Sequence, residues 1–273
     1  QDLTPTDVLF SIDLAKLVQG EEVIWPREIV TASFKFINEV QRANSLVYNA
    51  LLSLMAEHKA FFRDQVFKSP DYFWIMDANP HDVGSSQMPA AFKDRIDYSI
   101  PIPPPSIKGV QAFQQKAITG RKLRAELTEM ANPVLDIEAM KSIWEDVCKV
   151  HVPQKMNIFS AMLAASLQKC EQFDRSVLSS EYEFSCQHCS FKADVCSKLQ
   201  TIPGSRFTDS LLRLAQARAW LCRRTEVIVN DILYGLPYTL GHRLDLVPEI
   251  QRIYLNTQAW VVEDYYRTFL RIK

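Results

Sequence analysis

Apolar residues in the first hundred positions recur with the spacings of alternating strands and helices. Short, mostly apolar runs at Phe34–Ile37 and 72–76 predict buried strands, and the segment from Phe61 to Phe67 predicts a small hairpin. Between the first strand and the hairpin, one face of a helix is predicted by Val47, Ala50, Leu51, Leu54 and Met55. Because strands that alternate with helices usually pair in parallel, this part predicts an α/β fold around a parallel sheet with covered faces.

A proline-rich segment at 99–106 separates this part from a helical one. It holds four of the fourteen prolines, and proline lacks the amide hydrogen that a helix or a central strand requires. Beyond it, three apolar stripes have helical spacing: Met140, Ile143, Trp144 and Val147; Phe159, Met162, Leu163 and Cys170; and Phe207, Leu211, Leu214, Ala215, Leu221 and Cys222. We therefore predict an α/β domain over residues 1–106 and an all-helical domain over residues 107–273.

The composition narrows the possible classes of function. Of the 273 residues, 47% are hydrophobic and 23% are charged, which is enough for a sizeable core and excludes wholesale disorder. A net charge of −1 gives no reason to expect a nonspecific nucleic-acid or membrane-surface binder, and the basic stretch 116–124 is interpreted as a solvated face. No apolar run reaches the roughly 18–20 residues of a membrane-spanning helix. We predict a soluble, cytoplasmic protein.

Polar side chains follow both predicted strands at the point where each strand ends. Glu39 follows the first strand, Asn79 follows the second, and Arg95 lies shortly before the proline-rich segment. Ligands of open α/β sheets bind at the carboxyl ends of the strands. There a carboxylate can act as general base for a water, an amide can orient that water, and an arginine can stabilise phosphoryl charge. The pattern favours a phosphoryl-transfer site.

Two segments resemble MoxR-type AAA+ ATPases. The Walker B strand of that family, with its following turn and helix, resembles residues 34–55, FKFINEVQRANSLVYNALLSLM. The sensor 1 strand and the small-residue helix ending in Asp-Arg resemble residues 72–97, YFWIMDANPHDVGSSQMPAAFKDRID. Further matches to the family lie at 2–9 and, for its lid, at 204–206, 210–219 and 236–244. The resemblance implies an AAA+ P-loop NTPase-like parallel sheet, here without its first strand and P-loop, followed by an all-helical lid.

The resemblance also implies catalytic roles for four residues. Glu39 would be the Walker B glutamate that polarises the attacking water, and Asn79 would be the sensor 1 amide that touches the water or the γ-phosphate. Arg95 would be the arginine finger that acts on the nucleotide of a neighbouring subunit. Arg206 would be the sensor 2 arginine, which reaches from the lid to the phosphates.

Two further residues would lie beside the nucleotide. Asn38 stands where the family usually has the Mg-associated aspartate, and Arg42 would lie at the subunit boundary. Because an amide is neutral, Asn38 is a poorer partner for hydrated Mg²⁺ than a carboxylate, which puts turnover in doubt. The phosphate loop G-x-x-x-x-G-K-[ST] does not occur in the 273 residues. Either a segment outside them supplies that loop, in the same or a separate polypeptide, or the chain is a degenerate AAA+ subunit.

The resemblance implies ATP and Mg²⁺ as cofactors and a homo- or hetero-oligomeric AAA+ ring, commonly a hexamer. Such a ring would couple ATP hydrolysis to the remodelling or chaperoning of a client protein. A second hypothesis is a non-hydrolysing scaffold subunit that binds partners through its lid. A third hypothesis is a DNA-associated motor, although neither the charge nor the scattered aromatic residues of the sequence favour nucleic acid.

Four of the six cysteines lie close together in the second part of the chain. Cys186 and Cys189 form a C-x-x-C pair, with Cys196 and Cys170 on either side. Four thiolates with this spacing predict a structural metal site that orders the insertion near 170–200, with zinc favoured over an iron–sulfur cluster. Cys170 also fits a core position, and His188 or a ligand from another chain would then complete the site. The remaining thiols, Cys148 and Cys222, are predicted to be buried among apolar helix positions.

Overall fold

The computed structural model describes residues 4–70, 73–79, 88–118, 134–167, 191–254 and 256–271. The chain divides into two compact units that adjoin along the sequence between Ile96 and Asp97. The first unit has the helices α1 Pro5–Leu9, α2 Leu14–Val18, α3 Glu28–Thr31, α4 Ser45–Glu57 and α5 Ala90–Lys93. Its strands are β1 Phe10–Ile12, β2 Ile24–Pro26, β3 Phe34–Ile37, β4 Lys59–Phe62, β5 Gln65–Lys68 and β6 Phe73–Met76.

Parallel pairing in the first unit joins β3 to β6, in a register that runs from Phe34 opposite Phe73 to Ile37 opposite Met76. The other described strands of this unit form two antiparallel pairs, β1 with β2 and the hairpin of β4 with β5. The parallel sheet and the hairpin that the sequence predicts are therefore confirmed. Since β3 and β6 are neighbours and parallel, their carboxyl ends lie at the same edge.

Only one face of the β3–β6 pair is covered by the described residues. On that face Ile37, Trp74 and Met76 pack beside the core of α4 and α5, and the ammonium group of Lys35 lies 5.4 Å from the Trp74 ring centre. The opposite face is apolar but open, with exposed fractions of 47–64% at four side chains: Phe34, Phe36, Phe73 and Ile75. The prediction that both faces are buried is therefore wrong for these residues, because the alternation of side chains does not reveal what covers each face.

Helix α4 forms where the apolar spacing predicts it. Its N-terminus is capped by Asn44, whose side chain accepts a hydrogen bond of 2.9 Å from the Val47 amide. Its buried residues share one face: Val47, Tyr48, Leu51 and Leu54. The helix ends at His58, which adopts the left-handed backbone conformation that terminates many helices.

The second unit is predominantly helical. Its helices are α6 Ile107–Ile118, α7 Ile137–Cys148, α8 Gln154–Ser166, α9 Phe191–Asp194, α10 Arg206–Leu221, α11 Val229–Leu240, α12 Pro248–Gln251, α13 Thr257–Trp260 and α14 Tyr266–Arg271, with a π-helical stretch at Val261–Tyr265. A short antiparallel pair accompanies them, β7 Leu199–Thr201 with β8 Asp245–Leu246. The core lies where α10 and α11 pack together.

The apolar stripes of the second unit are buried only in part. Phe207, Leu211 and Ala215 of α10 are almost fully buried, whereas Leu221 is 73% exposed and Trp144 is 50% exposed. Two thiols predicted to be in the core, Cys148 and Cys222, are exposed. That prediction is wrong because Cys148 is the last residue of α7 and Cys222 follows the last residue of α10, where the helices have left the core.

The chain enters the second unit through residues 97–99, the last of which begins the proline-rich segment. The Ser210 hydroxyl donates to the Asp97 carboxylate at 2.5 Å, the Tyr98 hydroxyl donates to the Ser210 carbonyl at 3.3 Å, and the Ser99 amide donates to the Tyr238 carbonyl at 2.8 Å. Burial, followed by the charge of Asp97, raises the pKa of Tyr98 to about 12, so its hydroxyl stays a donor. The domain boundary between residues 106 and 107 stays a prediction.

A buried ion-pair cluster links α10 to α11. The carboxylate of Asp231 has no solvent exposure and accepts two hydrogen bonds of 2.6 Å from Arg224 and one of 2.5 Å from Arg218. The backbone amide of Ile228 donates a further bond of 3.0 Å. Burial would raise the pKa of Asp231, but the hydrogen bonds from Arg224, Ile228 and Arg218 outweigh it and lower that pKa.

Gly241 follows the last residue of α11 at a point with no room for a side chain. A Cβ atom there would lie 2.5 Å from Cγ of Gln258 and 2.8 Å from the carbonyl oxygen of Pro237. Gln258 can move, but the carbonyl belongs to the helix backbone, so we expect Gly241→Ala to lower the free energy of unfolding by about 1–3 kcal/mol. Urea unfolding followed by circular dichroism measures this.

Gly109→Ala is the matched control for that substitution. Gly109 lies in α6, and the nearest atom to its added Cβ is 3.5 Å away, an ordinary contact. Alanine has the higher helix propensity, so this variant should unfold with unchanged or slightly increased stability, by up to about 1 kcal/mol. Equal stability of the two variants would contradict the close packing at Gly241.

Candidate functional site

The carboxyl ends of β3 and β6 are held together by hydrogen bonds beyond the strands themselves. The Asp77 amide donates to the Ile37 carbonyl at 3.0 Å, and the Val40 amide donates to the Asp77 carbonyl at 3.0 Å. The buried Tyr48 hydroxyl of α4 donates to the Val40 carbonyl at 2.8 Å. The turn after β3 is thus fixed both to the neighbouring strand and to the helix that follows it.

Glu39 occupies this turn in an unusual backbone conformation. Its φ of 54° and ψ of 47° lie in the left-handed region, which is uncommon for a residue other than glycine, asparagine or aspartate. Residues held in this way cost about 1–3 kcal/mol and cluster at functional sites. The carboxylate of Glu39 lies 3.0 Å from the guanidinium of Arg42, and the two side chains are 45% and 57% exposed. An exposed pair of this kind contributes little stability, so Glu39 can exchange this partner for another at low cost.

The side chain of Asp77 holds the turn in place. Its Oδ1 accepts a hydrogen bond of 2.5 Å from the Glu39 backbone amide. The Asn38 amide nitrogen donates to Oδ1 at 2.9 Å and to Oδ2 at 2.5 Å, in the orientation of the amide that pairs donors with acceptors. The sequence pattern does not single out Asp77, although Asp77, like Glu39, is an acidic residue close to the carboxyl end of a strand.

The other predicted site residues lie at separate points of the two units. Asn79 is exposed three residues after the end of β6, at the same edge as Glu39. Arg95 follows α5, is partly buried, and donates to the Ala91 carbonyl at 3.4 Å. Arg206 belongs to the second unit, where it is the exposed first residue of α10. Glu39, Asn38, Arg42 and Asn79 therefore share one edge of the first unit.

The predicted metal site lies mostly outside the described residues. Cys170, Cys186, Cys189 and the alternative ligand His188 belong to the range 168–190, which the structure does not describe. Cys196 is described as a partly buried residue in a turn of 3₁₀ helix at Cys196–Lys198. Across the described part of the chain, no group of three or more histidine, cysteine or acidic side chains could hold a metal ion.

The edge at β3 and β6 suits a hard cation together with a phosphate group. Its ligand atoms are all oxygens, from the carboxylates of Glu39 and Asp77 and, depending on its orientation, the amide of Asn38. Carboxylate and amide oxygens with water are the ligands that Mg²⁺ prefers. This donor set fits a hydrated Mg²⁺ held by one or two carboxylates and by the phosphates of a nucleotide.

None of the helices in the described ranges is both long enough and apolar enough to cross a membrane.

Comparisons with known proteins agree with the fold. Residues 203–262 match the family model of the AAA lid domain. The chain is 25% identical over 265 residues to YeaC of Bacillus subtilis (strain 168), an uncharacterized protein, with 96% of this chain and 72% of YeaC covered. It is 24% identical over 255 residues to the protein MoxR of Paracoccus denitrificans, with 90% of this chain and 70% of MoxR covered.

A solved structure supports the fold independently. A crystal structure from Cytophaga hutchinsonii, of a protein described only as a candidate ATPase, aligns with a TM-score of 0.73 at 17% identity. The alignment covers 100% of this chain and 74% of that protein. Together with the parallel strand pair, the helical second unit and the two sequence relatives, these similarities support a MoxR-type AAA+ ATPase.

Proposed function

We propose that the protein hydrolyses ATP at the edge formed by β3 and β6 and couples hydrolysis to the remodelling or chaperoning of a partner protein in an oligomeric ring. Similarity to AAA+ proteins implies the use of nucleotide and Mg²⁺. The observation that carries the proposal is the left-handed Glu39, held by Asp77 of the adjacent parallel strand. A carboxylate carried by a strained backbone at a strand terminus is an arrangement typical of functional sites.

Each residue at this edge has a chemical role in the proposal. The Glu39 carboxylate leaves Arg42, takes a proton from the attacking water and directs that water at the γ-phosphorus atom. The bond from that phosphorus to the β–γ bridging oxygen breaks, and ADP leaves with the bridging oxygen. Asn79 orients the same water through its amide. When bound, Mg²⁺ neutralises charge on the β- and γ-phosphates. Arg42 keeps the Glu39 side chain at the strand end before the substrate arrives, at a distance of 3.0 Å.

A further segment must supply the phosphate loop in this proposal. The open apolar face of the β3–β6 pair, with Phe34, Phe36, Phe73 and Ile75, is a suitable surface for that segment to cover. Burial of these four half-exposed side chains would contribute stability in proportion to the apolar area removed from water. The P-loop lysine and backbone amides of the added segment would then hold the β- and γ-phosphates.

Arg95 and Arg206 extend the proposal to a ring. We place Arg95 at the nucleotide of the neighbouring subunit, where a guanidinium stabilises transition-state charge, and Arg206 at the phosphates as the lid arginine. A hexamer in the cytoplasm, acting on a protein partner and not on nucleic acid, is the assembly that this proposal expects. Mass photometry of the full-length protein with ATPγS tests the subunit number.

ATP hydrolysis by the full-length protein tests the proposed function. We expect a steady-state ATPase activity that requires Mg²⁺ and disappears with EDTA. The second hypothesis, a non-hydrolysing scaffold, is favoured by one observation, the neutral Asn38 at the position where the family usually has an aspartate. Tight ATP binding without turnover would support the scaffold and would contradict the ATPase.

A structural zinc site in the insertion near 170–200 remains a prediction from the cysteine spacing. We expect elemental analysis of the protein to find about one zinc per chain, since four thiolates close a tetrahedral site. Cys186→Ser should remove that zinc and destabilise the second unit, whereas Cys148→Ser, at an exposed helix end, should leave both unchanged. Iron in place of zinc would indicate an iron–sulfur cluster, and a metal-free protein would contradict the site.

A further inference from the structure

Asn38 and Asp77 form a pair across the two adjacent strand ends. With the Asn38 amide oriented to pair donors with acceptors, its nitrogen contacts both carboxylate oxygens of Asp77, at 2.9 and 2.5 Å. The strands that the two residues follow are separated in sequence by the whole of α4 and the hairpin. The Glu39 amide adds a third hydrogen bond, of 2.5 Å, to Oδ1. Asp77 is therefore oriented by donors from the two residues that follow β3.

The chemistry of the two residues is complementary. An aspartate at position 38 would place a second carboxylate in contact with Asp77, and two carboxylates that share a site cannot both be ionised without a large cost. Asparagine has nearly the same shape as aspartate but carries no charge and supplies an N–H donor. The neutral amide at position 38 and the carboxylate at position 77 are thus chemically complementary. The negative charge lies at the end of β6 and not at the end of β3.

The carboxylate of Asp77 can still bind a further ligand. A carboxylate has about four lone-pair sites, and the three N–H bonds occupy two on Oδ1 and one on Oδ2. Asp77 is exposed at the end of its strand, and one site on Oδ2 is not used by these three bonds. Hydrated Mg²⁺ is typically held by one or two carboxylates through its ligand shell.

We propose that Asp77 supplies the carboxylate for the nucleotide-bound Mg²⁺ and that Asn38 and the Glu39 amide are positioning groups that hold it. The inference rests on the proposed function, because it concerns the metal of the same nucleotide site. The scaffold hypothesis is favoured by the neutral residue at position 38. If Asp77 supplies the carboxylate for the metal, a neutral Asn38 is compatible with ATP hydrolysis, and that argument for a scaffold is removed. The ligand of this site would be a divalent cation bound to a nucleoside triphosphate.

Titration of Mn²⁺ into the full-length protein with ATPγS, followed by electron paramagnetic resonance, tests the inference. Asp77→Asn should weaken Mn²⁺ binding about 10–100-fold, the range found when a group that supports a metal is lost. Metal-free ATPγS affinity, measured in EDTA, should stay unchanged. The double variant Asn38→Asp with Asp77→Asn returns the carboxylate to the first strand and should recover most of the lost Mn²⁺ affinity.

Controls separate a metal role from a merely structural one. Asp64→Asn changes an exposed aspartate in the turn between β4 and β5 and should leave Mn²⁺ binding unchanged. If Asp77→Asn lowers the thermal midpoint but binds Mn²⁺ within twofold of the unmodified protein, the pair only joins two strands and the inference is overturned. A folded double variant that recovers no Mn²⁺ affinity would overturn it too. Failure of the unmodified protein to bind Mn²⁺ with ATPγS would overturn the proposed function as well.

Discussion

Replacing Glu39 by glutamine should reduce ATP turnover by the full-length protein about 10²–10⁴-fold while leaving ATP binding nearly unchanged. Loss of a general base costs this much because the water must then attack without giving its proton to a positioned carboxylate. Glutamine keeps the size of the side chain and the backbone bond from Glu39 to Asp77, so the turn after β3 should persist. Steady-state turnover and the affinity for ATPγS measure the two effects separately.

Glu57→Gln provides the matched control. Glu57 is an exposed glutamate at the last position of α4, in the same unit and away from the strand ends. Its replacement should leave turnover within a factor of two. If Glu39→Gln also stays within a factor of two, the carboxylate is not the base, and the role of Glu39 is wrong even if the protein is an ATPase.

Replacing Asp231 by alanine should lower the free energy of unfolding of the second unit by about 3 kcal/mol. Breaking a buried ion pair typically costs about 3–5 kcal/mol because the partner charges are left without compensation. The lower end applies here, since Arg218 and Arg224 are 31% and 29% exposed and can turn to water. The substitution also leaves the Ile228 amide without its acceptor at the start of α11. Urea unfolding measures the loss.

The pH dependence of this stability has a definite sign. Because the pKa of Asp231 is lower in the folded protein than its ordinary value of about 3.9, its contribution is fully present above that value. It is lost as the pH falls through the folded pKa. The stability difference between the unmodified protein and Asp231→Asn should therefore be constant from pH 5 to pH 7 and shrink below about pH 3.9.

Glu145→Gln is the control for both measurements. Glu145 is an exposed residue of α7 in the same unit, and its replacement should change the stability by no more than about 0.5 kcal/mol at any of these pH values. A stability loss at Asp231→Ala that is no larger than the loss at Glu145→Gln would show that the buried cluster does not hold α10 and α11 together.

The sequence alone predicts the helices and strands that have a strong local signal. The spacing of Val47, Leu51 and Leu54 predicts α4 because one face of a helix repeats every three to four residues. The alternation of strands with a helix between them predicts that β3 and β6 run parallel, since such a connection returns the chain in the same direction. The adjacency of the strand ends at Glu39 and Asn79 follows from that pairing.

Other features depend on partners that are distant in sequence. Asp77 holds the turn through Asn38 and Glu39, which are 38 or more residues away, and no local spacing marks that pairing. The left-handed conformation of Glu39 has no local signal, because glutamate, unlike glycine, is rarely found there. The exposure of Leu221 and Cys222 depends on where α10 leaves the core, which the apolar stripe alone does not show.

The central claim is that ATP is hydrolysed at the edge where β3 and β6 end. A structure of the full-length protein with Mg²⁺ and ATPγS tests it most directly. The account predicts the γ-thiophosphate at this edge, with the Glu39 carboxylate within one water of the phosphorus atom and the Asp77 carboxylate facing the metal. Nucleotide bound at another surface, with Glu39 still paired to Arg42 and remote from the phosphates, would contradict it.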